Sequence, residues 1–308
     1  MHFGIALLTG ALTWAAAGPP QSHILPVPFR TDAAVDLKSV ELTIDGTRVK
    51  TAGVLGPSDP QMLLLVLDLT GDTAQADPAK DAVIDALNRL PESTYVALLR
   101  AQDGLRVLVD PTPDRAALAS AIRDLPVSGR PGLIEVVDGV QRLADDIGRR
   151  SRVRVTVVYV TDSDVTAYRE DFTNPVINSS DPHDLSRRFP EQLIQEKISK
   201  IDNALAARRS SMHVVHIVLR GDRLNEAYLN GLKRLADDAG GTSTLCRTSS
   251  EIPDAISAAF RAASSEYVVF MEQPERGPAK AQLRIVAKDE SGADVPLLYR
   301  SRISFREK

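Results

Sequence analysis

Leu63-Leu64-Leu65-Val66-Leu67-Asp68-Leu69-Thr70-Gly71-Asp72 points to a parallel α/β sheet more strongly than any other stretch of the chain. An apolar run of this length, closed by polar turn residues, reads as a strand buried on both faces. The aspartate ends that strand where open α/β sheets place their ligand sites. Asp68, Thr70 and Asp72 alternate, so their oxygens can turn toward one point. Oxygen ligands hold a hard divalent cation in that way. The same residues also suit a helix-capping turn that holds no ion.

Outward from this stretch, strands and helices alternate. Apolar and β-branched runs predict strands over 62–69, 94–100, 105–110, 153–161 and 212–219. Spacings of three and four predict helices over 79–90, 113–124, 133–148, 191–209, 224–239 and 252–263. Gln102-Asp103-Gly104 joins two of the strands as a hairpin. Such alternation gives a three-layer, doubly wound, mostly parallel sheet. Residues 266–271 read as its last strand or as a crossover out of it.

The two ends of the chain look different. Val40, Leu42 and Ile44 alternate before an Asp45-Gly46 turn, and 279–287 and 295–305 alternate about Ser291-Gly292. These ends are expected to pair as a small accessory β unit. The organisation read from sequence is a signal peptide over 1–17, a Pro-rich irregular linker over 18–35, the accessory unit from 36–58 and 272–308, and the α/β domain over 59–271. The apolar run 3–17 and the small residues Ala15-Ala16-Ala17 support export, to a periplasm or cell surface, although no basic residue precedes the run. No segment is apolar enough for stable membrane insertion once the signal is removed.

Composition narrows the chemistry. A net charge of −4 over 308 residues argues against a general nucleic-acid surface. One cysteine, Cys246, excludes an internal disulfide and reads as a small buried residue. His213 and His216 lie three apart in a predicted strand, so they face opposite ways and are not a ligand pair. Arg149-Arg150-Ser151-Arg152 with Arg154 reads as a solvated helix-to-strand turn. The polar stretch 162–190 is long for a connection, and its apolar Tyr168, Phe172, Val176 and Ile177 suggest that it packs over the Asp68 edge and helps recognise a partner.

The middle of the chain resembles a von Willebrand factor A (VWA) domain, and more narrowly the exported bacterial VWFA-related proteins. Asp68-Leu69-Thr70-Gly71-Asp72 resembles the Asp-x-Ser-x-Ser loop of that family. Gly129-Arg130-Pro131-Gly132-Leu133 stands where the family has Gly-Gly-Thr-x-Leu. Val160-Thr161-Asp162-Ser163-Asp164 resembles the strand ending in Thr-Asp-Gly, and Asp237-Asp238-Ala239-Gly240-Gly241 the late helix ending in Gly-Gly.

The resemblance implies a metal-ion-dependent adhesion site whose ligands would be Asp68, Thr70 and Asp162. Asp72 replaces the second hydroxyl, and Asp164 adds a carboxylate. Pro131 replaces the ligand threonine and offers no side-chain oxygen. Extra carboxylates favour Ca²⁺ over Mg²⁺ and make a cation a poorer acceptor for an acidic partner. The expectation is a non-enzymatic, extracytoplasmic protein–protein interaction module whose metal-dependent capture is weakened or lost. Any ion held would be Mg²⁺ or Ca²⁺, and the partner is an unknown protein. Two alternatives stand beside this. One is a structural or assembly protein with an inert edge. The other is a Mg²⁺-dependent phosphotransferase of haloacid-dehalogenase type, with Asp68 as nucleophile.

Overall fold

A computed structural model describes residues 24–71, 73–129, 131–163, 190–218, 223–273 and 280–305. In chain order, strands β1 (Ile24–Arg30), β2 (Glu41–Ile44), β3 (Thr47–Arg48), β4 (Thr51–Leu55) and β5 (Gln61–Asp68) lead into helix α1 (Thr73–Asn88). Then come β6 (Thr94–Arg100), β7 (Arg106–Thr112), α2 (Arg115–Arg123), α3 (Leu133–Ser151) and β8 (Arg154–Thr161). Helix α4 (Pro190–Leu205), β9 (Ser211–Ile217), α5 (Arg223–Asp238), β10 (Thr242–Cys246) and α6 (Ile252–Ser264) complete the alternating part. The chain closes with β11 (Tyr267–Glu272), β12 (Ala281–Val286), β13 (Leu298–Tyr299) and β14 (Arg302–Ile303).

Six strands form the central sheet in the order β10-β9-β8-β5-β6-β7. All neighbours are parallel except the β6–β7 hairpin at one edge. Leu63 to Leu67 are completely buried because both faces of β5 are covered. Leu63, Leu65 and Leu67 pack under α1, α2 and α6, whereas Leu64 and Val66 pack with residues of α3, α4 and α5. Helix α1 earns its place through Ala76, Ala79, Val83 and Leu87, a buried stripe at spacings of three and four. Asp114 caps α2 by accepting the amide hydrogens of Ala116 and Ala117 at 2.9 and 3.0 Å. The fold class read from sequence is the observed one.

Both chain ends build two further sheets, β13-β1-β11-β4 and β14-β12-β2-β3. They close on a shared core that includes Val27, Phe29, Leu42, Ile44, Val269, Met271, Leu283 and Ile285. The Asp45-Gly46 turn stands as read, with both residues at positive φ.

Three readings are corrected. Within the expected linker, residues 24–30 form β1, which pairs with β11 from Ile24 to Phe29. Pro26 and Pro28 disguised it. They are tolerated because β13 reaches only Phe29 and Arg30, so that among the described residues the edge beside the prolines has no second strand partner. Residues 267–272 lie in the accessory sheet, which takes the crossover alternative over a place in the central sheet. Arg154 is 1% exposed rather than solvated. Its guanidinium donates to the carbonyls of Pro57, Asp59, Ser264 and Glu266. Strand β10 was not foreseen, since its Thr-Ser-Thr start carries little apolar pattern. The expected signal segment 1–17 and the stretch 164–189, with Tyr168, Phe172, Val176 and Ile177, lie outside the described residues.

Candidate functional site

The carboxyl ends of β5 and β8 are adjacent in register, Asp68 opposite Thr161. The chain after each strand turns over the sheet edge, and the Asp162 amide donates to the Asp68 carbonyl at 3.1 Å. This brings Asp68, Thr70 and Asp162 to one edge, as their positions at strand ends predicted. Asp72 and Asp164, the other two candidate ligands, lie outside the described residues.

Asp68 is fully buried. Its Oδ1 accepts the Gly132 amide at 3.1 Å, and its Oδ2 accepts the Thr161 hydroxyl at 3.2 Å. Gly132 is the N-cap of α3, so the helix N-terminus points its cap amide at this carboxylate. The approach needs glycine. A Cβ on Gly132 would sit 2.1 Å from the Ala101 carbonyl oxygen. Neighbouring Pro131 is part-buried and contributes no side-chain oxygen.

Asp162 faces the first loop. Its Oδ1 accepts the Thr70 amide at 2.7 Å, with the Thr70 hydroxyl at 3.4 Å. Its Oδ2 accepts the Gly71 amide at 2.8 Å. Burial pushes the Asp162 carboxyl up from its ordinary value, and the two amides pull it part of the way back.

Behind these carboxylates runs a polar chain that sequence reading missed. Thr161 Oγ1 lies 2.8 Å from Ser163 Oγ, which lies 2.9 Å from the Tyr228 hydroxyl of α5. His216 Nε2 stands 2.6 Å from the Ser163 carbonyl oxygen, and its ring meets Tyr228 edge-on. Only Thr161 and Ser163, flanking Asp162, could have signalled this in sequence. Tyr228 and His216 are 65 and 53 residues from Ser163. His213, by contrast, points away to Glu266 at 2.9 Å. The two histidines therefore serve opposite faces.

The cation that the family resemblance implies finds a partial fit. Asp68, Thr70 and Asp162 supply oxygens at one edge, although Asp162 Oδ1 already accepts both the amide and the hydroxyl of Thr70. The third loop supplies none from Pro131. Both oxygens of Asp162 are turned onto main-chain amides. Among the described residues no group of three or more His, Cys, Asp or Glu stands ready to hold a metal. Cys246 is buried, and burial lifts its thiol to about 11, which leaves little thiolate at neutral pH. No helix among the described residues is long and apolar enough to cross a membrane.

No curated protein matches the chain. Among solved structures, it resembles a von Willebrand factor type A protein from Catenulispora acidiphila with a TM-score of 0.47 and 14% identity, over 92% of this chain and 75% of that one. The ArnB paralog VWA2 from Sulfolobus acidocaldarius gives 0.43 and 10%, over 91% and 76%. The vWF domain of the type V pili tip protein Mfa5 from Porphyromonas gingivalis gives 0.42 and 14%, over 66% and 94%. With TM-scores below 0.5, these likenesses bear on no residue of the site. Residues 63–164 match the family model of the von Willebrand factor type A domain, a stretch that starts within β5 and runs past the end of β8.

Proposed function

We propose that this protein is a non-enzymatic interaction module that docks a partner protein outside the cytoplasm through the Asp68–Thr70–Pro131–Asp162 edge, with metal-dependent capture weakened or lost. The observation that carries this reading is the state of Asp162. Its two oxygens are engaged by the Thr70 and Gly71 amides, so the first and third loops close on one another without needing an ion between them. Pro131 removes the hydroxyl that the second loop of such a site contributes. Export rests on the apolar segment 3–17. The phosphotransferase reading is disfavoured, since Asp68 is 0% exposed and both of its oxygens already accept protein hydrogen bonds.

The test is thermal unfolding in chelator, Mg²⁺, Ca²⁺ and Mn²⁺ in turn. A ligand that binds only the folded state adds about 2.7 kcal/mol at a hundredfold excess over its Kd. No shift with any cation at millimolar concentration is the expected result. A rise with one cation that disappears in Asp68→Ala would overturn the weakened-site reading and make the edge a working adhesion site.

A further inference from the structure

We infer that the open edge of β7 takes up an extended segment of a partner protein in which apolar and acidic residues alternate. Strand β7 ends the central sheet and pairs with β6 alone. Its other side has no strand partner among the described residues. Leu105, Val107 and Leu108 are 36%, 52% and 39% exposed, and among the described residues they are three of the five large apolar side chains left in water. Their concentration on one unpaired edge marks an interaction surface rather than scattered exposure.

The two faces of this edge differ. Val107 stands opposite Leu99, which packs in the core beneath α3. Leu105 leans the same way, since a Cβ on Gly139 of α3 would lie 3.7 Å from its Cδ2. Arg106 stands opposite Arg100, and side chains alternate along a strand, so the two guanidiniums share the other face. Like charges directly opposite one another are unfavourable. Neither guanidinium has an ion-pair partner, and Arg100 Nε is buried with no acceptor. One arginine on an edge strand guards it against stray pairing. A second on the inner strand, directly behind it, adds nothing to that guard. A carboxylate on a guest strand, placed opposite Arg106, answers the nearer charge, while the residues before and after it turn to the α3 face and cover Leu105 and Val107.

The backbone limits the length of such a guest. Leu108 is the extra residue of a bulge between the Leu99–Val107 and Leu98–Val109 pairs, and Pro111 has no N–H to offer. Pairing is therefore confined to the first half of β7, with Arg106 setting the register. The same kink keeps two copies of this chain from joining in one long ladder, which favours a different chain as the occupant.

The probe is a short, end-blocked, dye-labelled peptide alternating valine and glutamate, titrated into the whole protein by fluorescence anisotropy. A valine–lysine peptide and one with its valines and glutamates in separate blocks serve as counterparts. Saturable binding of the valine–glutamate peptide is expected, with the block peptide about tenfold weaker and the lysine peptide not bound. Arg106 is exposed, so Arg106→Glu should keep the parent Tm, lose the glutamate peptide by about tenfold and gain the lysine one. Asp68→Ala should bind the glutamate peptide as the parent does, which separates this surface from the Asp68 edge. No saturable binding, equal binding of the two charge types, or an unchanged preference in Arg106→Glu would overturn the assignment. So would a dimer in sedimentation that Val107→Lys abolishes and the peptide leaves intact, since the edge would then belong to a second copy.

Discussion

The Asp162 carboxylate grips the main chain at Thr70, 2.7 Å from its amide nitrogen, across 92 residues of sequence. That contact latches the loop after β5 to the loop after β8. An edge built this way is held in shape by its own peptide groups. Asp162→Ala should leave the Thr70 and Gly71 amides without acceptors and cost about 1–3 kcal/mol, read as a lower urea midpoint. The loop should then become more open to proteolysis, while the sheet below stays intact by far-ultraviolet circular dichroism.

The same residue makes a pH prediction. Asp162 has its carboxyl raised in the folded state, chiefly by burial. It therefore binds its proton more tightly folded than unfolded. Its contribution favours the folded state as pH falls below the ordinary carboxylate value, and that advantage is lost as pH rises through the folded value. Asp162→Asn lacks this penalty. The stability of the variant relative to the parent should therefore climb with pH across the carboxylate range and level off above it. A flat difference between the two urea-midpoint profiles would mean that Asp162 is not raised.

Asp68 tests the second latch. It ties the start of α3 to β5 and accepts the Thr161 hydroxyl. Gly132 holds the other half of that contact, because any side chain there drives into the Ala101 carbonyl. Gly132→Ala should cost more than about 2 kcal/mol, as backbone must move to admit it. Thr161→Val, which removes one hydroxyl and keeps the volume, should cost about 1–2 kcal/mol. If Gly132→Ala were harmless in urea unfolding, the second loop would not be packed against the β6 end as described.

Much of this was legible from sequence because the physics was local. An apolar run ending in Asp68 and a β-branched run ending before Asp162 place both carboxylates at one sheet edge. Helix periodicities fix the layers. What stayed hidden was non-local or disguised. Pro26 and Pro28 made β1 look like a linker, although Leu25, Val27 and Phe29 alternate beneath them. Arg154 sat in a run of arginines and looked solvated, while the fold surrounds it with carbonyls. The Ser163–Tyr228–His216 chain joins residues with no shared pattern in sequence, so no periodicity could announce it.

The opposite rim of the sheet carries a second buried polar cluster, and it ties the two units together. Glu266, at the entry to β11, accepts the hydroxyls of Thr156 and Ser211 at 2.7 Å each and meets His213 Nε2 at 2.9 Å. Its carbonyl and that of Ser264 bind the Arg154 guanidinium. Glu266→Ala would strand three buried polar groups and should cost about 3–5 kcal/mol. Glu266→Gln keeps one acceptor and should cost less.

Strand β1 gives the last test. It lies between β11 and β13 and sends Leu25, Val27 and Phe29 into the β-unit core, with the Phe29 ring stacked on Tyr267 at 5.2 Å. Were residues 18–35 only a tether, a chain beginning at residue 36 would fold as well as one beginning at residue 21. The pairing says otherwise. Removing β1 leaves β11 paired with β4 alone, bares its other edge along Tyr267 to Glu272 and opens the apolar core beside it. The shortened chain should therefore melt well below the longer one, bind a hydrophobic dye and self-associate through the bared β11 edge. Equal melting temperatures and a monomeric shortened chain would return these residues to the status of a linker.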